Sequence, residues 1–153
     1  MQIRHAISED KEQVGKIYAV LFSEMAILQP KYYKSTDDTS LFLEEVMQNP
    51  DACCFVAEQN RELLGFVTVF EQSTPLYPCM QQMKYAYLLD MAVLPVHRNK
   101  GVGNKLIQTV KEWAKERKLH HVALTVLEEN DQAISFYQDN SFKSAMRTMR
   151  LEL

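Results

Sequence analysis

Glycine, proline and cysteine are scarce in this sequence. Among 153 residues there are only 4 Gly, 5 Pro and 3 Cys. So few glycines and prolines leave little room for flexible linkers, and we therefore expect one domain that spans residues 1–153. The odd number of cysteines, with no metal-ligand spacing, argues against a disulfide framework and a metal site.

Long apolar runs are missing as well. No stretch of about 18 apolar residues is present, so we expect no membrane span. The first residues, MQIRHAISEDKEQ, lack the apolar core of a signal peptide. Together with reduced cysteines this predicts a cytoplasmic protein. A net charge of -3 argues against nonspecific binding to nucleic acid.

What remains is a mixture of strand-like and helix-like segments. Apolar residues at helical spacing predict helices over residues 8–28, from Asp38 or Thr39 to about residue 48, after Gly103 and after Asn130. Apolar or alternating segments predict strands at residues 2–7, 54–58, 63–70, 85–93, 121–127 and from Phe142 onward. Strands four and five are joined by one helix and should be parallel neighbours. The sequence therefore predicts a mixed α/β domain.

Residues 88–106, LLDMAVLPVHRNKGVGNKL, pass from a strand through a glycine-containing basic turn into a helix. Pro95 ends the strand because proline has no N–H for a sheet ladder. Free N–H groups at the helix start, the helix dipole and the charges of Arg98 and Lys100 all favour an anion there. This stretch therefore predicts a phosphate-binding turn.

The glycine spacing separates three kinds of phosphate turn. A P-loop needs a second glycine five residues after the first, followed by Lys and Ser or Thr, and Gly101 has neither. A dinucleotide-binding turn needs a third glycine where Leu106 stands. The pattern that fits is R-x-x-G-x-G, from Arg98 to Gly103, after a strand that ends in V-x-P.

A second motif follows in the C-terminal part: N-x-x-A-x-x-F-Y, from Asn130 to Tyr137, and then Phe142. In this order and on these elements, the two motifs resemble those of the GNAT superfamily of N-acetyltransferases, over residues 88–142. The sequence departs from the family pattern at Ser141, where the family usually has glycine. Because Asn140 tolerates the left-handed conformation, we expect helix four to end one residue early.

The resemblance implies a GNAT-like fold: a mixed sheet of about six to seven strands with about four helices, and strands four and five splayed by a bulge near Ala92. It also implies acetyl transfer from acetyl-CoA to an amine by direct attack, without a metal. The cofactor-binding residues that it implies are Met91, Ala92, Val93, Arg98, Asn99, Lys100, Gly101, Val102, Gly103, Asn104, Asn130 and Tyr137.

The resemblance also suggests catalytic roles. Tyr137 stands where the family places a general acid for the departing thiolate, although a tyrosine on an amphipathic helix can simply pack. A backbone N–H near Val93 is the candidate oxyanion donor. The candidate bases are Asp90, Glu71 and Glu128; Asp90 is favoured because a carboxylate inside an apolar strand needs an explanation, of which a buried structural acid is the other. Asn130 can either cap helix four or bind the cofactor.

The acceptor is expected to be a small-molecule or protein amine. It should be bound by helices one and two, their linking loop and residues 71–82, with Tyr32, Tyr33 and Tyr77 as candidate lining residues. The last strand, with Met146, Thr148 and Arg150 alternating, could pair two subunits into a homodimer. The competing hypothesis is a sensor or scaffold module that binds acetyl-CoA with little turnover.

Overall fold

The computed structural model describes residues 1–153, apart from the side chain of Ser40. The strands are β1 (Gln2–His5), β2 (Ala52–Gln59), β3 (Glu62–Ser73), β4 (Lys84–Val93) and β5 (Val122–Leu124). The helices are α1 (Lys11–Leu28), α2 (Ser40–Gln48), α3 (Val102–Glu116) and α4 (Asp131–Asp139). The mixed α/β class and the four helices are confirmed, with five strands in place of six or seven. Among the described residues, no helix combines the length and apolar character that crossing a membrane requires.

The strands form one sheet in the order β1-β2-β3-β4-β5. The first three pairings are antiparallel, and β4 pairs with β5 in parallel, as the strand–helix–strand order predicts. The apolar strand β3 lies at the centre. A two-residue turn joins β2 to β3, and both of its residues, Asn60 and Arg61, have positive φ, which is typical of a type I′ hairpin.

Each face of the sheet carries its own hydrophobic core. On one face α3 buries its apolar stripe, including Leu106, Ile107 and Val110, against β2, β3 and β4. On the other face α1 and α2 pack through Ile17, Tyr18 and neighbouring residues. The sheet is therefore the middle of three layers, with α3 on one side and α1 and α2 on the other.

Strands β4 and β5 separate soon after they meet. Their pairing covers only three residue pairs, the last of which is Leu88 with Leu124, while β4 runs on to Val93. Beyond Leu88 the edge of β4 that faces β5 has no strand partner among the described residues. The predicted splay of strands four and five is confirmed.

The bulge lies at Leu89, and the prediction of a bulge near Ala92 was wrong. The register runs from Thr68 opposite Asp90 directly to Val69 opposite Leu88, so Leu89 is the extra residue, whereas Ala92 pairs regularly with Phe66. An extra residue reverses the side-chain alternation. Before the bulge, Leu88 faces the α3 core; after it, Met91 and Val93 face that core. The bulge therefore turns Asp90 toward α1.

The prediction of a last strand from Phe142 onward was wrong. Residues 142–153 have no strand partner among the described residues. The segment is held instead by side chains at the end of α1: Glu152 pairs with Lys31, and Arg150 stacks on Tyr32 and donates to Gln29. Apolar and polar residues are mixed on both alternating faces, so no buried face sets a register.

The left-handed residue at the end of α4 is Ser141, and the prediction that α4 ends one residue earlier, with Asn140 in that conformation, was wrong. Asn140 keeps an ordinary φ of -87°, and Ser141 takes the left-handed conformation at 71°. The N–H of Phe142 donates to the carbonyl of Tyr137, and the N–H of Ser141 to that of Gln138. These two bonds form a Schellman motif, with serine where glycine is usual.

Candidate active site

The turn between β4 and α3 is shaped by two left-handed residues. A short 3-10 turn, Pro95–His97, follows the strand; Asn99 then has φ 59° and Gly101 has φ 79°, and α3 starts at Val102. Among the described residues, no acceptor lies against the backbone N–H groups of residues 99–104. These free donors at a helix N-terminus fit a pyrophosphate.

The side chain of Arg98 is engaged elsewhere. Its Nε donates to the carbonyl of Val93 at 2.9 Å, and its Nη2 contacts both carboxylate oxygens of Glu24 at 2.8 and 3.0 Å. Arg98 therefore ties the turn to the end of β4 and to α1. The Nζ of Lys100 donates to the carbonyl of Val96 at 2.8 Å. The anion-binding capacity of the turn thus comes first from its backbone.

Helix α4 packs against the start of α3 and brings the two sequence motifs together. A Cβ on Gly103 would lie 3.0 Å from the ring of Phe136, so only glycine fits there without a shift. The Nδ2 of Asn140 donates to Oδ1 of Asn104 at 3.0 Å. Val102 is buried in the core, which leaves only its backbone available to a ligand.

Tyr137 lies on α4 and packs against the same core as Met91 and Val93 of β4. Its ring packs between Phe136 and Phe142 at centroid distances of 5.4 and 5.6 Å. Burial raises the pKa of Tyr137 to about 12, and the charge of Asp90 adds to the increase. In the described part of the chain, nothing hydrogen-bonds to its hydroxyl, which is therefore available to a ligand.

Asp90 is half-buried and faces α1. Its Oδ2 accepts a hydrogen bond from the hydroxyl of Tyr18 at 3.0 Å. Burial raises the pKa of Asp90, and the bond from Tyr18 opposes that increase. Tyr137 packs with the α3-side core, whereas Asp90 faces α1, so the two groups flank the splayed edge of β4 from opposite sides. The charge of Asp90 nevertheless raises the pKa of Tyr137, so the favoured base and the favoured acid are close enough to interact.

The other two candidate bases lie elsewhere. Glu71 pairs with Ala86 in the far half of the β3–β4 ladder and forms ion pairs with Lys84 at 2.7 Å and Arg117 at 2.8 Å. These pairs lower the pKa of Glu71, the bond from Lys84 most of all. Glu128 is exposed, 3.7 Å from Arg147. Asp90 is the only one of the three that the structure brings to the splayed edge.

Asn130 is the N-cap of α4, the first of its two alternative roles. Its Oδ1 accepts from the backbone N–H of Ala133 at 3.1 Å, which satisfies one free donor of the first turn. Contact with a cofactor through its amide nitrogen stays a prediction. The cap fixes where α4 begins, and hence where Tyr137 lies.

Sequence reasoning missed Tyr18 and Thr68. Tyr18 belongs to the apolar stripe of α1, and Thr68 sits inside the apolar strand β3, so both look like ordinary core positions. Their hydroxyls lie 3.2 Å apart beside Asp90. The one available signal was two polar groups, Thr68 and Asp90, within otherwise apolar strands.

The end of α1 and the C-terminal segment enclose an open groove. Its volume is about 640 Å³, and its lining residues are Lys31, Tyr32, Arg150, Leu151, Glu152 and Leu153. Of the aromatic residues predicted to line an acceptor site, Tyr32 lines this groove. Tyr77 is 67% exposed in the β3–β4 connection. The Oε2 of Glu129 accepts from Gln29, which joins the end of α1 to the β5–α4 loop.

Comparison with known proteins identifies the family. The profile of the acetyltransferase (GNAT) family matches residues 14–142. An uncharacterized N-acetyltransferase of Bacillus subtilis, YhfO, is 29% identical over 149 residues, which cover 94% of this chain and 90% of the relative. An uncharacterized N-acetyltransferase of Archaeoglobus fulgidus is 25% identical over 143 residues, covering 94% and 93%.

Two solved structures show the same fold. A mutant of the BH1408 protein of Bacillus halodurans superposes with a TM-score of 0.95 at 24% identity, covering 100% of this chain and 99% of that one. The aminoglycoside N-acetyltransferase AAC(6')-Iy, in complex with CoA, superposes with a TM-score of 0.78 at 19% identity, covering 99% and 98%. The family match spans most of the domain, and the chain therefore belongs to the acetyltransferase (GNAT) family of acetyl-CoA-dependent N-acetyltransferases.

Proposed function

We propose that the protein transfers the acetyl group of acetyl-CoA to a primary amine of a small molecule or a protein, by direct attack within a ternary complex. The observation that carries this proposal is that Asp90 and Tyr137 flank the splayed edge of β4 from opposite sides. The free N–H groups of residues 99–104 lie at the end of the same strand.

The cosubstrate fits this edge. The N–H groups of residues 99–104 would hold its pyrophosphate, with Asn130 as a further contact. Its pantetheine arm carries amides and can pair, like an added strand, with β4 near Met91, Ala92 and Val93. Support for this arrangement comes from the pairing of β4 with β5, which stops at Leu88 and leaves that edge open.

In the proposed reaction, one side chain accepts a proton and another donates one. The amine nitrogen bonds to the thioester carbonyl carbon, and the carbon–sulfur bond breaks. Asp90 takes the proton that the amine loses, directly or through a water molecule, and Tyr137 gives its proton to the departing thiolate. A backbone N–H near Val93 would stabilise the oxyanion.

The need for a base depends on the amine. Removing the proton from a lysine-like amine, with a pKa of about 10.4, costs about 4.6 kcal/mol at pH 7. For an α-amine, with a pKa of about 7.7–8.0, the same step costs only about 1 kcal/mol. Asp90 should therefore matter more for alkyl amines. Its pKa is raised by burial, which makes it a stronger base than an exposed carboxylate.

The test is release of coenzyme A thiol from acetyl-CoA in the presence of polyamines, amino acids, peptides and aminoglycosides. Aminoglycosides belong in the panel because a protein of the same fold is named for them. With any acceptor found, Asp90→Asn should lower kcat/KM near pH 7. The kcat/KM of this variant should recover at high pH, where the amine is neutral without a base. Tyr137→Phe should lower kcat, whereas Tyr85→Phe, on the strand β4 that also carries Asp90, should not. An unchanged pH profile in Asp90→Asn would remove Asp90 as the base.

The alternative is a module that binds acetyl-CoA with little turnover. It predicts a thermal shift with acetyl-CoA, but no thiol release with any amine and no effect of Tyr137→Phe. Tyr137 with its free hydroxyl favours the enzyme, because a binding module has no use for a proton donor at the thioester.

A homodimer through the C-terminal segment stays a prediction. Met146, Met149, Leu151 and Leu153 are at least 86% exposed. β5 is an edge strand, and unpaired edges and extended apolar segments can associate. Light scattering of the full chain and of a chain truncated after Ser144 tests this prediction. A full chain that is a dimer and a truncated chain that is a monomer would support it, and a monomeric full chain would reject it.

A further inference from the structure

A tyrosine hydroxyl is buried inside the aromatic core of α1. Tyr18 is 0% exposed, and its ring lies 4.2 Å from that of Phe66 and 5.2 Å from that of Phe22, between centroids. Phe42 approaches edge-on at 5.9 Å. These contacts fix the ring, so its hydroxyl occupies one place. Phenylalanine would satisfy the packing equally well, which means that the hydroxyl needs its own explanation.

The hydroxyl is aimed at Asp90. The two oxygens, Tyr18 Oη and Asp90 Oδ2, are 3.0 Å apart. Thr68 Oγ1 lies 3.2 Å from the same hydroxyl and 3.4 Å from the backbone carbonyl oxygen of Asp90. Asp90 reaches this position only because the bulge at Leu89 turns it to the α1 face. Three elements, α1, β3 and β4, therefore meet at this carboxylate.

We propose that Tyr18 is a positioning residue for Asp90: its hydroxyl fixes the orientation of the carboxylate beside the splayed edge and favours the ionised form of that carboxylate. The inference rests on the proposed role of Asp90 as the general base. Tyr18 itself exchanges no proton with the substrate.

A half-buried charge carries a free-energy cost. Burial disfavours an ionised Asp90, and a base must be ionised to accept a proton. Burial and the neighbouring Asp90 raise the pKa of Tyr18 far above its ordinary value, so Tyr18 keeps its proton and donates at every working pH. A donor to a carboxylate forms a strong, charge-assisted hydrogen bond. Tyr18 thus offsets part of the penalty of burial without neutralising the base.

Two other titratable groups face this pair. Tyr137 approaches from α4, and Cys54 from β2 lies near Tyr18. Burial raises the pKa of each to about 12, so both are neutral near pH 7. Thr68 has no charge. The pH response of Asp90 in this range should therefore follow its bond with Tyr18.

The experiment compares Tyr18→Phe with Tyr85→Phe. The control removes a hydroxyl that also makes a 3.0 Å hydrogen bond, but to Gln72 on the surface. In Tyr18→Phe the acid limb of the profile of kcat/KM against pH should move up by about one pH unit, with about tenfold lower activity on that limb and near-normal activity at high pH. Tyr85→Phe should leave the limb in place. A uniform loss at all pH values in Tyr18→Phe would indicate a purely structural role and overturn the inference.

A second readout separates this inference from the proposed function. The carboxyl carbon of Asp90 is titrated by NMR in ¹³C-labelled protein and assigned with Asp90→Asn. A higher pKa for Asp90 in Tyr18→Phe supports the inference. If that pKa rises and the activity profile does not follow, positioning stands and Asp90 is not the base; if it does not rise, the inference fails. Should Tyr18→Phe not fold, 3-fluorotyrosine at position 18, a stronger donor, must move both titrations to lower pH, and no movement would equally overturn the inference.

Discussion

Replacing Gly65 with alanine should force β3 and β4 apart beside the site. A Cβ at Gly65 would lie 2.6 Å from the carbonyl oxygen of Ala92 and 3.1 Å from Cα of Val93. Carbon and oxygen normally approach to about 3.3 Å, so the contact is about 0.7 Å too short (3.3 − 2.6). Both obstacles are backbone atoms of the strand that carries Asp90, and a backbone cannot rotate away as a side chain can.

The expected change in the free energy of unfolding is the sum of two opposing contributions. Overpacking costs about 1–3 kcal/mol, and loss of glycine's freedom in the unfolded chain returns about 0.4–1 kcal/mol. The net loss of unfolding free energy is about 1–2 kcal/mol. A domain of this size loses roughly 2–4 °C of Tm for each kcal/mol, so Tm should fall by about 2–8 °C. Affinity for acetyl-CoA should fall too, because Ala92 and Val93 must move.

The assay is thermal unfolding followed by circular dichroism, with calorimetric titration of acetyl-CoA. Gly15→Ala is the matched control: Gly15 lies within α1, and its Cβ would meet only the hydroxyl of Thr39, at 3.1 Å. Because alanine favours a helix over glycine by about 1 kcal/mol, Tm should stay level or rise there. A Gly65→Ala variant with unchanged Tm and unchanged affinity would show that the close approach of β3 and β4 does not exclude a Cβ at this position.

Three further predictions concern stability and the phosphate turn. The hydrogen bond from Arg4 holds the pKa of buried Asp10 below its ordinary value. This stabilisation is present above the unfolded-state pKa and is lost as the pH falls through the folded-state value. Asp10→Asn should therefore cost about 2–4 kcal/mol in urea unfolding at pH 7, and the cost should shrink as the pH falls below the unfolded-state pKa. Ser141→Gly should raise the unfolding free energy by about 0.5–1 kcal/mol, since residue 141 has φ 71°; an unchanged urea midpoint would contradict this. Gly101→Ala, with φ 79° and no atom within 4 Å of the new Cβ, should cost about 1 kcal/mol and weaken calorimetric binding of acetyl-CoA, whereas unchanged binding would argue against this turn as the phosphate site.

Local sequence patterns were enough to predict much of this fold. The apolar stripe of α3 and the stop at Pro95 depend only on residues near one another, and the structure confirms both. The parallel pairing of β4 with β5 followed from the order of elements and the handedness rule. The two family motifs predicted that α3 and α4 form the site together, and the structure packs α4 against the start of α3.

Two of the features that sequence reasoning missed depend on partners distant in the chain, and a third depends on local hydrogen-bond geometry. The bulge at Leu89 exists only relative to the register of β3, which no pattern within β4 sets. The bond between Tyr18 and Asp90 joins residues 72 positions apart. Ser141 took the left-handed position because the Schellman bonds require it one residue after the cap, whatever the propensity of Asn140.

The prediction of a strand in the last segment was wrong for a different reason. Alternation alone predicted a strand, but a strand also needs an edge to pair with and a face to bury. Residues 142–153 have neither in the described chain, and contacts such as Lys31 with Glu152 hold them beside α1. Pattern-based prediction is therefore weakest at a terminal segment whose partner the sequence does not name.

Binding of acetyl-CoA can be measured directly by a thermal-shift titration of the full chain with acetyl-CoA, coenzyme A, ATP and NAD. At about a hundred times Kd, a ligand that binds only the folded state adds about 2.7 kcal/mol, which is a rise of several degrees in Tm. If the turn between β4 and α3 binds acetyl-CoA as we propose, we expect this rise with acetyl-CoA and coenzyme A, and a smaller one with ATP or NAD. No rise with acetyl-CoA at millimolar concentration, or a larger one with ATP or NAD, would contradict this proposal.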